Sequence, residues 1–139
     1  MKKSLLLVLL FMITVLSVHA GEDAFIDALR GCSSYASSDN LNVSGIDAKS
    51  YKQMLGWQNG KCVYKETIQF GENNIVTTCS FTKPQIQDII SVADSYYRTK
   101  RYTNEDLDLT SPDSVKNNPL ARVMNKYLQD SSVCTISGL

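Results

Sequence analysis

Apolar residues recur along this chain with two different periods, and each change of period marks a change of element. From Asp23 to about Ala36, Phe25, Ile26, Leu29, Cys32 and Ala36 return at helical spacing, with Glu22 and Asp23 suited to a helix start. This predicts an N-terminal helix with Cys32 on its core face. Ser37 to Gly45 is rich in Ser and Asn and reads as a loop. Beyond it the period shortens to two. Asn59-Gly60 sits between two β-prone runs and is a strong hairpin signal, because both central residues of a type I′ turn need a positive φ. A two-residue loop there pairs Trp57 with Cys62, Leu55 with Tyr64, Gln53 with Glu66 and Tyr51 with Ile68. A second turn at Gly71-Glu72 fits the Gly-first II′ type and pairs Cys62 with Phe81, Tyr64 with Cys79, Glu66 with Thr77 and Ile68 with Ile75.

These pairings predict a three-stranded meander. One face carries Tyr51, Leu55, Trp57, Cys62, Tyr64, Ile68, Phe70, Ile75, Cys79 and Phe81; the other carries Lys52, Lys61, Lys65, Thr67, Gln69, Thr78 and Ser80. One-sided patterning of this kind belongs to an antiparallel sheet that helices cover on one face. The helical period then returns. Thr82 and Gln85 have capping-box spacing, Pro84 falls in the first turn, Phe81 is placed to staple onto Ile86, and the apolar stripe is Ile86, Ile89, Ile90, Ala93 and Tyr97. Residues 103–117 are polar, acidic and contain Pro112, and read as a surface connection. Asn118 can cap a short helix opened by Pro119, with Leu120, Val123, Met124, Tyr127 and Leu128 on one side, and a tail with Cys134 follows. The expected fold class is α+β: an N-terminal helix, a three-stranded antiparallel meander, then two helices on one sheet face.

The start of the chain adds a compartment. Lys2 and Lys3 precede a nearly unbroken apolar run from Leu5 to Val18, and Val18-His19-Ala20 offers small residues around a cut before Gly21, the pattern of a secretory signal. Residues 1–20 are therefore expected to be a signal peptide and 21–139 a single small α+β domain, secreted or periplasmic, with no membrane span after cleavage. The residue directly after the cut is Gly21 and not cysteine, so a lipid anchor is unsupported. Cleavage removes the sole histidine, His19, and with it the commonest catalytic base. It also removes Lys2 and Lys3, turning an even balance of 14 basic and 14 acidic residues into an excess of two acids. Such a balance argues against generic binding to nucleic acid or anionic membrane.

Cys32, Cys62, Cys79 and Cys134 in an exported chain predict two disulfides. In the register above Cys62 and Cys79 share a face but sit diagonally, at β-carbon separations of roughly 7 Å, whereas a disulfide needs ~3.8 Å. Geometry therefore leans to Cys32 bonding one sheet cysteine and Cys134 the other; a slip in the second turn would revive the Cys62–Cys79 bond. No CxxC pair suggests an oxidoreductase, and the cysteine spacing lacks the close ligand pairs of structural zinc sites.

Candidate chemistry is sparse. Gln53, Glu66 and Thr77 form one polar row across an otherwise apolar face, where a carboxylate near Tyr64 and Tyr51 could act as an acid or base or hold a polar ligand; equally, Gln53 and Glu66 could mark the limit of helix cover or bond each other. Arg98, Lys100 and Arg101 among Tyr96, Tyr97 and Tyr102 form a short basic and aromatic segment, better suited to a helix C-terminus than to nucleic acid. Glu105, Asp106, Asp108 and Asp113 lack EF-hand spacing and read as a solvated acidic loop. Asn42-Val43-Ser44 is a glycosylation sequon that matters only for a eukaryotic secreted chain. No P-loop, dinucleotide fingerprint or GxSxG elbow occurs, and no metal or cofactor is implied.

The expected function is a non-enzymatic binding protein of the periplasm or exterior, its partner an unidentified protein or small ligand. Trp57, beside the Asn59-Gly60 turn, places an interface-type residue near a hairpin tip, although an inner-face position would bury it. The alternatives are a small-ligand carrier and a minor hydrolase using Glu66 as acid or base. A helix followed by an antiparallel meander resembles cystatin-like arrangements in topology, without an inhibitory motif of that family.

Overall fold

The computed structural model describes residues 19–43, 45–103 and 118–138, with side chains over 24–42, 45–98 and 118–138. The elements are α1 (His19–Gly31), β1 (Tyr35–Val43), β2 (Ile46–Gln58), β3 (Lys61–Phe70), β4 (Asn73–Phe81), α2 (Lys83–Thr103), α3 (Pro119–Leu128) and β5 (Cys134–Ser137). The class is α+β. The sheet, however, has five antiparallel strands rather than three, in the order β1-β2-β3-β4-β5.

The two added strands correct the sequence reading at both flanks of the meander. Ser37–Gly45 is not a loop: most of it belongs to β1, paired with β2 from Tyr35↔Met54 to Val43↔Ile46. The tail around Cys134 is β5, paired with β4 from Cys79↔Cys134 to Val76↔Ser137. The first helix also stops sooner than Ala36. Cys32 turns to φ 50, its N–H reaches the Leu29 carbonyl at 3.2 Å, and the Ser33 N–H reaches that of Ala28 at 2.9 Å. This is a Schellman closure with cysteine in the left-handed position that glycine usually takes.

Both meander turns form where expected. Asn59 and Gly60 take φ 51 and 76, as a type I′ turn requires, and Gly71 takes φ 56. The β3–β4 register is the expected one, with Cys62↔Phe81, Tyr64↔Cys79, Glu66↔Thr77 and Ile68↔Ile75. The β2–β3 register is the expected one from Gln58↔Lys61 to Gly56↔Val63, so that Trp57↔Cys62 is the one named pair that forms. Between Met54 and Gly56 it shifts, so that Met54 pairs with Tyr64, Lys52 with Glu66 and Ser50 with Ile68. Gly56, at φ 89, absorbs the extra residue of this β-bulge. One residue of shift exchanges the faces of β2. Met54, Ser50 and Ala48 are buried, whereas Tyr51, Gln53 and Leu55 are exposed.

The three helices share one side of the sheet. Phe25, Ile26 and Leu29 of α1, Ile86, Ile89, Ile90 and Ala93 of α2, and Leu120, Val123, Met124 and Tyr127 of α3 form one core with Met54, Cys62, Tyr64, Cys79 and Phe81. Helix ends follow their local signals. Thr82 and Gln85 close the capping box, with the Thr82 N–H on Gln85 Oε1 at 2.8 Å and the Gln85 N–H on Thr82 Oγ1 at 3.4 Å. Asn118 Oδ1 accepts from the N–H groups of Leu120 and Ala121. Disulfides Cys32–Cys62 and Cys79–Cys134 join α1 and β5 to the meander, the pairing that the diagonal placement of Cys62 and Cys79 favours. Helix α2 runs on to Thr103; residues 104–117, with their acidic cluster, and residues 1–18 of the expected signal lie outside the described residues. The described part of α1 runs from His19, so the expected cut before Gly21 falls within the helix.

Candidate functional site

A polar row crosses the helix side of the sheet. Register aligns Ser37 of β1, Lys52 of β2, Glu66 of β3, Thr77 of β4 and Ile136 of β5. The expected row of Gln53, Glu66 and Thr77 is therefore met at two positions and corrected at the third. The bulge sends Gln53 to the outer face, where it is exposed opposite Lys65, and puts Lys52 beside Glu66. Lys52 therefore departs from the outer face that alternation assigns it. Its ammonium lies inward, 3.5 Å from Asp39 Oδ2.

Glu66 is 1 % exposed, Thr77 3 % and Ser50 fully buried, values normally reserved for apolar residues. Ser50 Oγ donates to Glu66 Oε1 at 2.7 Å, and the Tyr64 hydroxyl donates to Oε2 at 3.4 Å. These contacts answer the rule that a buried polar group costs free energy unless it is hydrogen-bonded. Burial, then the adjacent Glu66 carboxylate, pushes the Tyr64 phenol well above its ordinary pKa. The row separates the main core from a smaller cluster of Leu41, Ala48 and Ile68, against which Phe70 and Ile75 pack. Its chemistry is that of an internal polar seam: both oxygens of the carboxylate are engaged, and the side chain offers almost no surface to solvent.

The exposed chemistry lies elsewhere, and mostly on one strand. The large apolar side chains that stand exposed among the described residues are Ile46, Tyr51, Leu55 and Trp57, all of β2. Tyr51 and Leu55 owe this to the bulge. Trp57, opposite buried Cys62, keeps the expected pairing but is 44 % exposed at the hairpin tip, with Lys83 Nζ 5.8 Å from its ring centroid. The inner-face expectation that would have buried Trp57 is thus overturned by its position at the rim, past the edge of helix cover.

The charge on the outer sheet face has one dominant sign. Alternation from the buried positions places Lys49, Lys61 and Lys65 there with Asp47, whose Oδ1 accepts from Asn42 Nδ2 at 2.8 Å. Two acids of α2 are matched instead: Asp94 pairs with Arg30 of α1 at 2.7 Å, and Asp88 with Lys126 of α3 at 3.2 Å. Hydrogen bonds from Tyr127, and then from Lys126, hold the Asp88 carboxyl below its usual pKa. Asn42 of the sequon is tied into the β1–β2 turn, its Oδ1 also accepting the Gly45 N–H at 3.1 Å.

An open depression of about 510 Å³ lies at the far end of the sheet, lined by residues that include Asn40, Leu41, Lys49 and Gln69. Among the described residues, no three His, Cys, Asp or Glu side chains gather as metal ligands, and no helix is long and apolar enough to cross a membrane. The four cysteines are all disulfide-bonded. No protein-family profile, curated protein or solved structure matches the chain.

Sequence reasoning missed Lys52 as a member of the row and Ser50 as the donor to its carboxylate. The signal that could have found them is Gly56, a glycine inside a strand pattern next to a tight hairpin, which is a known mark of a bulge.

Proposed function

We propose that this chain is an exported, non-enzymatic binding protein of the periplasm or exterior that presents its β2–β3 hairpin to a protein partner. The observation that carries this reading is the concentration of exposed large apolar side chains on β2, with Tyr51, Leu55 and Trp57 between 41 % and 47 % exposed. Side chains of this kind at the centre of a contact supply most of its binding energy. Two disulfides that fasten α1 and β5 to the sheet support a stiff display scaffold and are compatible with an oxidising compartment. The hydrolase alternative is less well supported, because Glu66 is interior and its oxygens are held by Ser50 and Tyr64. The carrier alternative would use the open depression near Leu41 and Lys49.

A photo-crosslinking amino acid at position 55 or 57, in the protein expressed in its own compartment, tests the reading. Both positions are expected to trap the same protein, and Leu55→Lys at an unchanged circular-dichroism spectrum is expected to abolish the product at position 57. Products obtained only from control positions on α3, such as Arg122, would sink the proposal.

A further inference from the structure

The outer sheet face combines lysines with exposed apolar side chains. On that face Lys49, Tyr51, Gln53 and Leu55 alternate down β2, beside Lys61, Val63, Lys65 and Thr67 of β3. Lys65 pairs with Gln53 and therefore lies diagonally next to both Tyr51 and Leu55, within reach of a long side chain. Among the described residues Lys49, Lys61 and Lys65 have no ion-pair partner, and the only carboxylate on this face, that of Asp47, is occupied by Asn42. The chain as a whole has equal numbers of acids and bases, yet its helix-side acids Asp88 and Asp94 are already paired. Lys49, Lys61 and Lys65 thus share the face that also carries the exposed side chains of Tyr51 and Leu55.

We infer that the outer face of the β2–β3 hairpin binds an acidic segment of a partner protein, with apolar side chains of that segment seated on Tyr51 and Leu55 and its carboxylates on Lys49, Lys61 and Lys65. The inference rests on the docking reading above and adds the partner's charge. Tyr51 and Leu55 supply desolvated contact, whereas the lysines set orientation and raise the association rate. A bare anionic surface would use the lysines without Tyr51 and Leu55.

The probes are a synthetic peptide alternating Asp or Glu with Leu, its twin with Asn and Gln in place of the acids, and phosphatidylglycerol vesicles. Each is titrated into the full chain carrying ¹⁵N, with binding read as amide shift changes. The acidic peptide is expected to move the amides of 49–55 and 61–67, to bind about tenfold or more tightly than its neutral twin, and to lose that advantage in Lys49→Gln/Lys61→Gln/Lys65→Gln and at ~0.5 M salt, where screening is nearly complete. Equal binding of the neutral twin at the same amides would overturn the charge assignment and leave the docking reading standing. Vesicle binding without peptide binding would replace the inference with membrane adhesion. If no probe moves these amides while the position 55 crosslink survives the triple lysine variant, the partner is not acidic; if the crosslink is absent as well, both readings fall.

Discussion

Tyr64 shows how one residue can tie the polar seam to the core. Its ring packs edge-on against Phe25 of α1 at 5.1 Å between centroids, while its hydroxyl donates to Glu66. Ionising that hydroxyl would place a phenolate in the interior beside a carboxylate, and the phenol's pKa is accordingly raised. A raised pKa in the folded state means that the stabilisation is fully present below the unfolded-state value of about 10 and is lost as pH rises above it. Alkaline unfolding is therefore expected to begin above about pH 10. Phenolate absorbance should show Tyr64 silent until the chain unfolds, and Tyr64→Phe should lessen the alkaline loss of stability. A Tyr64 that titrates with the exposed tyrosines in the folded protein would contradict this. Ser50 is the complementary test, since Ser50→Ala removes the shorter bond to a buried carboxylate. A loss of about 1 to 3 kcal/mol in chemical denaturation is expected for a buried acceptor left short of a donor.

At the scale of elements, the bulge at Gly56 decides what β2 shows to solvent. Its φ of 89 lies where an L side chain is strained, although a Cβ there would meet no atom within 4 Å. Gly56→Ala is thus a test of backbone conformation alone, expected to destabilise by about 1 kcal/mol or more in a denaturant titration. A neutral effect would mean that the bulge is not held at Gly56. Removing the bulge outright would restore the simple pairing of Leu55 with Tyr64, turning Leu55 and Tyr51 inward and Met54 and Ser50 out. That is the arrangement which alternation alone predicts from the Asn59-Gly60 turn. The helices were legible for the opposite reason, as their caps at Thr82 and Asn118 are local and complete in a few residues. β1 was not legible, because its inward positions include Ser37 and Asp39, which face the polar seam and break the apolar alternation that marks a half-buried strand. β5 is four residues long and is completed by its pairing with β4, which its own short composition does not reveal. Thr77 and Glu66 could be placed together because no bulge intervenes between β3 and β4.

Across the whole molecule, the two disulfides close loops of 30 and 55 residues in sequence separation. The chain-entropy relation gives each roughly 4 kcal/mol, with only a few tenths between them. Their effects on the fold should nevertheless differ in location. Cys32 closes a helix that already buries Phe25, Ile26 and Leu29 in the main core. Cys134 instead opens a four-residue edge strand and bonds the residue directly opposite it, Cys79. Local packing can hold α1 in place without its bond better than it can hold β5. Paired alanine substitution should therefore lower global stability similarly at both sites, yet only Cys79→Ala with Cys134→Ala should open to hydrogen exchange under native conditions the amides of Val76, Thr78 and Ser80, whose N–H groups point toward β5 and the turn before it. With β5 released, β4 becomes the edge of the sheet and loses the strand that covers it. The β2–β3 hairpin lies on the far side of β4, with its register set by the Asn59-Gly60 turn and the Gly56 bulge. Exchange there, and any binding that depends on Tyr51 and Leu55, should be unchanged in the same variant. Equal protection of β5 with and without its disulfide would show that the tail is held by its pairing and by the burial of Val133, and would remove Cys79–Cys134 from the set of contacts that define the sheet's edge.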